Sequence, residues 1–402
     1  MRPQPFTIDI PVSAIENLKS RIRATAWPDD LDNGDWNYGF PRGYLKSLAE
    51  SWAEDYDWYD AQARMNAYPH FKVTVDDVPI HFMRVAGKGP DPVPLILSHG
   101  WPWTFWDMQR VIGPLTDPAA FGGDPADAFE LIVPSLPGFA FSTPLRRAGM
   151  NFWKTADLWQ KLMTQVLGFD RYAAAGGDWG QFITQQLGHK YAESLLGIML
   201  TGTAPLALFN APRFWDISSG FLPADLPEEA QRPLLDHFRK RVPHVAVQTI
   251  EPQTLAYAMH DSPVGLLAWL VQPRRDWGEC GGDPETAFPR EHLLTTATIY
   301  WLTGSYVNSA RFYADAVRSP WAPSHSREPL VEAPTAITFL GGEFLPGMTT
   351  ANRLDAFHRS PWSIQYNLHF TGVHEKGGHF SFYEAPDACV HDLRAHFRPL
   401  RA

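Results

Sequence analysis

The residues best placed to do chemistry stand in Gly176-Gly177-Asp178-Trp179-Gly180. The order small-x-nucleophile-x-small is that of a nucleophile elbow, a sharp strand-to-helix turn that holds one side chain up over a sheet. The central residue is an aspartate where lipases and esterases carry serine. An aspartate is ionised at neutral pH and needs no base to activate it. Its attack on carbon makes an alkyl ester on the enzyme. That chemistry suits an sp3 carbon with a leaving group, as in an epoxide or an alkyl halide, and not a peptide or an ordinary ester. Two further residues follow in the order nucleophile, acid, histidine. Glu343 comes after the apolar run at 336–340. His379 lies in Gly377-Gly378-His379-Phe380, where the glycines let a loop swing the imidazole to the top of the sheet. His99-Gly100-Trp101-Pro102 directly follows the run at 94–97, so the backbone N–H groups of Trp101 and Trp179 are expected to form an oxyanion hole. His99 reads as a brace for that loop. Plainer readings exist: Asp178 as a helix N-cap, Glu343 as a solvated loop acid, His379 as one exposed histidine beside His374. The strand-turn-helix context, the ordered triad and the Gly-Gly pair favour the catalytic readings.

These side chains need a sheet beneath them. Short apolar runs bounded by turn residues, at 94–97, 129–133, 172–175, 196–200, 336–340 and 364–370, read as buried parallel strands of an α/β sheet. Residues 71–75 and 80–85 alternate about Asp76-Asp77 and read as a hairpin. Upstream, 12–27 and 41–58 read as two amphipathic helices. Between about 204 and 334 the pattern is helical and Pro-punctuated, without convincing strands, which reads as a lid inserted between two strands. The expected division is an N-terminal segment (1–70), a first core part (71–205), a lid (206–330) and a second core part (331–402).

Composition narrows the function classes. The chain has 402 residues, a net charge of −10 and 45% apolar residues, as expected of a globular protein. The acidic balance argues against nucleic acid and anionic membranes as partners. No run is long and apolar enough for a spanning helix, and the first residues lack a signal core. Cys280 and Cys389 form no disulfide framework, so a cytoplasmic setting is expected. The 16 Trp and 25 Phe could line a large apolar pocket, although most are expected in the core. Neither a metal nor a cofactor is called for. The oligomeric state is left open, a homodimer included.

Together these blocks, with Pro5-Phe6-Thr7-Ile8, Asp35-Trp36-Asn37-Tyr38-Gly39, Val133-Pro134-Ser135-Leu136-Pro137-Gly138-Phe139 and Asp261-Ser262-Pro263-Val264-Gly265, resemble the microsomal-type epoxide hydrolases over nearly the whole chain. The resemblance implies an α/β-hydrolase fold: a mostly parallel sheet, a helical lid and an N-terminal extension that wraps the core. The animal enzymes' membrane anchor has no counterpart here, so a soluble protein is expected. The family's mechanism would have Asp178 open a small-molecule epoxide, apolar or aromatic, with lid tyrosines protonating the leaving oxygen. His379, oriented by Glu343, would then activate water to release a vicinal diol. The second lid tyrosine matches Tyr313 in Arg311-Phe312-Tyr313. The other would precede Gln248-Thr249-Ile250-Glu251-Pro252-Gln253-Thr254-Leu255-Ala256, and counting back without a gap puts His244 there. His244, near neutral in its ordinary pKa, could donate a hydrogen bond or a proton, or be a passive replacement. A dehalogenase with the same elbow, displacing halide with Asp178, is the alternative.

Overall fold

The computed structural model describes residues 2–217, 227–342 and 349–401. Glu343 lies outside the described residues. One sheet runs through the molecule: β1 (Gln4–Phe6), β2 (His70–Val75), β3 (Val78–Val85), β4 (Val93–Ser98), β5 (Phe129–Pro134), β6 (Tyr172–Gly176), β7 (Leu195–Leu200), β8 (Val331–Leu340) and β9 (Tyr366–His374). Their spatial order is β1-β2-β3-β5-β4-β6-β7-β8-β9. The first three strands join antiparallel as far as β5; from β5 to β9 every pairing is parallel. Leu95, Ile96 and Leu97 of β4 and Ala173, Ala174 and Ala175 of β6 are fully buried. Such unbroken apolar runs belong to central parallel strands covered on both faces. The small side chains of β6 let the helix Trp179–Lys190 lie close on the sheet, and every residue of that helix but Lys190 is buried.

Between β7 and β8 the described residues form six α-helices, Glu228–Arg241, Pro243–Ile250, Pro252–Asp261, Pro263–Trp277, Arg290–Thr303 and Tyr306–Arg318. Proline at the first turn of three of them marks the start, where its missing N–H costs no hydrogen bond. The block at 261–265 is such a start: Ser262 Oγ accepts from the Gly265 N–H at 3.0 Å.

The N-terminal segment differs from its expected two helices. Residues 41–58 hold one helix, Arg42–Glu54, and a second, Trp58–Asn66, begins where Asp57 accepts the Tyr59 N–H at 2.8 Å. This side-chain cap interrupts what periodicity alone would continue. β1 is a second addition, visible only through its pairing with β2. The segment docks on the helix Arg290–Thr303: Trp52 Nε1 donates to Thr298 Oγ1 at 2.9 Å, and Tyr56 Oη lies 2.9 Å from Thr295 Oγ1. Trp52 is 1% exposed, and burying its ring contributes roughly 2–3 kcal/mol. β9 starts at Tyr366 and runs on to His374, beyond the apolar run at 364–370.

Candidate active site

Asp178 sits at the turn between β6 and the helix Trp179–Lys190 with φ 52° and ψ −124°. A non-glycine residue at positive φ is costly and persists where surrounding contacts over-determine it. The helix packs so tightly that a side chain at Gly180 would run into the Ser98 carbonyl oxygen. Asp178 Oδ1 accepts the backbone N–H of Trp101 at 2.8 Å and of Trp179 at 2.7 Å. These are the donors expected for the oxyanion hole. The loop carrying Trp101 is braced as anticipated. His99, fully buried, is pushed down to about 4 chiefly by desolvation and is therefore neutral. Its Nε2 accepts the Leu136 N–H at 3.1 Å, which leaves Nδ1–H to donate to the Gly100 carbonyl at 2.9 Å.

The second oxygen of Asp178 faces the histidine: His379 Nε2 lies 3.1 Å from Oδ2. His374, the competing residue, pairs with Asp392 Oδ2 at 2.9 Å. Gly377 takes φ +101°, a left-handed conformation that glycine adopts freely. The histidine loop is clasped by the far end of the helix Pro263–Trp277 and the residues after it. The His379 N–H donates to the Trp277 carbonyl at 3.1 Å, and Glu279 Oε2 accepts the Gly377 N–H at 2.5 Å. Glu384 closes the clasp, its carboxylate accepting the N–H of Phe380 at 2.9 Å and of Glu279 at 2.6 Å. Burial outweighs these two donors and pushes the Glu384 carboxyl up to about 7.

Two lid helices complete the chamber. Tyr313, 3% exposed, sets its ring edge-on to Trp179 at 4.6 Å and to Trp101 at 6.1 Å. Burial, with the Asp178 charge nearby, pushes its phenol well above the usual range, so it holds its proton. His244 stacks on Trp101 at 4.8 Å, leans on Trp277 at 5.0 Å and meets Tyr313 edge-on at 5.4 Å. Counting back from the block at 248–256, it stands at the position that the family resemblance gives to the other lid tyrosine. Desolvation pushes its pKa down to about 3 against the pull of Asp178. The imidazole is neutral at physiological pH, which corrects the expectation that it could serve as a near-neutral proton donor: only its N–H is available. The indole N–H groups of Trp101 and Trp103 are buried without a hydrogen-bond partner among the described residues.

Several residues of this assembly escaped the sequence reading. Asp107, from the turn after the oxyanion loop, lies 2.7 Å from Arg274 Nη1 of the lid, both essentially unexposed. The Nη groups make no well-directed hydrogen bond, so the contact is chiefly Coulombic. Arg274 stacks on the Phe380 ring at 3.8 Å. His292 also reaches Asp107, at 3.1 Å. Arg274 first and His292 next hold the Asp107 carboxyl well below its usual range despite burial. Glu384 and Glu279 were missed as well; nothing in their local sequence marks them. Trp106 packs on Tyr68 and Phe105, and Trp301 lies under the Arg21 guanidinium.

Residues 3–108 match the family model for the epoxide hydrolase N terminus, and 93–245 match that for the alpha/beta hydrolase fold. A Stigmatella aurantiaca protein carrying an epoxide hydrolase assignment is 36% identical over 99% of this chain and 85% of its own length. Epoxide hydrolase 1 of Oryctolagus cuniculus is 29% identical over 97% of this chain and 87% of its own. The crystal structure of juvenile hormone epoxide hydrolase from the silkworm Bombyx mori superimposes with a TM-score of 0.79 at 26% identity, covering 99% of this chain and 94% of that one. Among the described residues, no helix is long and apolar enough to cross a membrane.

Proposed function

This chain belongs to the epoxide hydrolase family of the α/β-hydrolase fold and is an enzyme of that activity; on that premise we propose that Asp178, His379, Tyr313 and His244 divide the reaction among them. The observation that carries the proposal is the split use of one carboxylate, with Oδ1 held by two backbone N–H groups and Oδ2 toward His379. Oδ2 attacks an epoxide carbon and the ring C–O bond breaks. The departing oxygen takes the Tyr313 proton and a hydrogen bond from the neutral His244 imidazole, an electrophilic use of uncharged histidine.

The alkyl ester then meets water. His379 takes one water proton as the oxygen adds to the ester carbonyl. The negative charge develops on Oδ1, where Trp101 and Trp179 already point their N–H groups. Collapse releases the diol, whose leaving oxygen takes the proton from His379. The carboxylic acid left on Asp178 loses its proton and Tyr313 recovers its own. Glu343 is proposed to orient His379, from its place in the order of the triad.

The walls of the chamber, Trp101, Trp179, Trp277, Tyr313 and His244, support an apolar or aromatic epoxide as substrate. Family membership favours an epoxide over the alkyl halide of the dehalogenase alternative. Two unpaired, buried cysteines support a reducing, cytoplasmic setting. The test is a single turnover in 18O-labelled water with enzyme in excess. The first diol should carry only unlabelled oxygen, because its new oxygen comes from Asp178. Label in that diol would overturn the ester mechanism.

A further inference from the structure

The outer side of the two lid helices that carry His244 and Tyr313 forms a cleft of about 700 Å3. Asn308, Arg311, Asp315 and Arg318 line it at a spacing that puts them on one face of the helix Tyr306–Arg318. Arg146 and Arg147 line the opposite wall. The charges are not mutually neutralised. Arg311 bonds to the side-chain oxygens of Gln253 and Asn308, Arg318 to the Ile250 carbonyl and Arg147 to the Asp76 carbonyl. Arg146 has no hydrogen-bond or ion-pair partner among the described residues. The two carboxylates of the cleft are engaged with uncharged donors: Asp315 Oδ2 with the Gly149 and Met150 N–H groups at 2.9 and 3.1 Å, and Glu251 with the Thr254 hydroxyl at 3.2 Å.

Four guanidinium groups gathered in one concavity, in a chain of net charge −10, make a local positive field that attracts an anion. Planar guanidinium groups match carboxylate and phosphate oxygens. Leu145, Met150, Ile250 and Phe312 supply apolar surface beside them. Phe312 lines this cleft, and its ring meets Trp179 of the chamber at 5.1 Å.

We infer that this cleft binds an amphipathic organic anion, a carboxylate on an apolar body, with the carboxylate among the arginines. The ligand is either a free acid or the far end of an acid-bearing epoxide. Calorimetric titration of the full chain with octanoate and with octanol at low salt tests the site without turnover, so its outcome stands apart from that of the catalytic proposal. Octanoate should bind saturably and octanol at least about tenfold more weakly. The double variant R146Q/R318Q should lose about tenfold in octanoate affinity, the worth of a charge-assisted contact, with turnover of a neutral epoxide unchanged. Equal binding of octanol, undiminished binding by R146Q/R318Q, or no saturable binding of octanoate would overturn the inference. Repeating the titration on H379Q loaded with the ester of a neutral epoxide separates the two sources. Retained arginine-dependent binding identifies a free acid, and lost binding identifies an acid-bearing substrate whose body enters the chamber.

Discussion

His379 Nε2 stands 3.1 Å from Asp178 Oδ2 while Oδ1 of the same carboxylate is held by the N–H groups of Trp101 and Trp179. The proposed base and nucleophile therefore touch before substrate enters, and the oxygen that the proposed mechanism charges during ester hydrolysis already sits among backbone donors. His379→Gln should alkylate at near the parent rate and then stall, with hydrolysis of the ester slowed by at least about 10²-fold. Intact-protein mass spectrometry should find an adduct of the epoxide's mass on His379→Gln and none on Asp178→Asn. An adduct on Asp178→Asn would exclude Asp178 as the nucleophile.

Tyr313 and His244 meet edge-on at 5.4 Å, and burial leaves both uncharged with a proton to offer. Tyr313→Phe should slow alkylation by about 10²-fold or more and leave ester hydrolysis nearly untouched. His244→Phe keeps the stacking on Trp101 and removes the N–H; its alkylation should fall roughly tenfold, the worth of one hydrogen bond to developing charge. Because His244 titrates near 3, the pH profile of alkylation between 5 and 8 should have the same shape in His244→Phe as in the parent. A profile that loses a limb in His244→Phe would mean that this histidine acts through its charge. Stopped-flow measurement of each half-reaction separates the effects.

Asp107 and Arg274 tie the turn after the oxyanion loop to the lid and, through Phe380, to the histidine loop. Removing one partner leaves a buried charge, so Arg274→Met should cost about 3–5 kcal/mol in urea unfolding, and the double variant Arg274→Met/Asp107→Leu should cost less. Asp107 is held below its usual range in the folded state. The stability it contributes is present above about pH 4, the unfolded value, and is lost as pH falls further. An Arg274→Met cost below about 1 kcal/mol would show that the pair is dispensable.

Glu384 has the opposite sign. Its folded pKa, about 7, lies above the unfolded value near 4.3, so the folded protein binds the proton more tightly. The contribution to stability is complete below about pH 4 and is lost as pH rises through 7, by at most about 4 kcal/mol. Glu384→Gln should lack that slope in chemical unfolding measured from pH 4 to 8, beside a constant loss because the amide NH2 cannot accept a backbone N–H. An unchanged slope would place the titration elsewhere.

Local chemistry settled much of this protein from its sequence. The elbow at 176–180 is legible because strand, turn and helix lie within a few residues of Asp178. His379 is distinguishable from His374 because Gly377 must take a conformation that favours glycine. The central strands are legible because strands buried on both faces must be continuously apolar. The family resemblance put His244 at the position of a lid phenol, but its charge state was not legible. The ordinary histidine value suggests a proton donor, and only burial against Trp101, Trp277 and Tyr313 makes the ring neutral. Tertiary structure alone joined Asp107 to Arg274, Glu384 to Glu279, and the arginines at 146–147 to those at 311 and 318. Each join spans a separation along the chain at which neither periodicity nor motif carries information. What decides it is which buried charge finds a partner when the lid closes on the sheet, and which exposed one is left without.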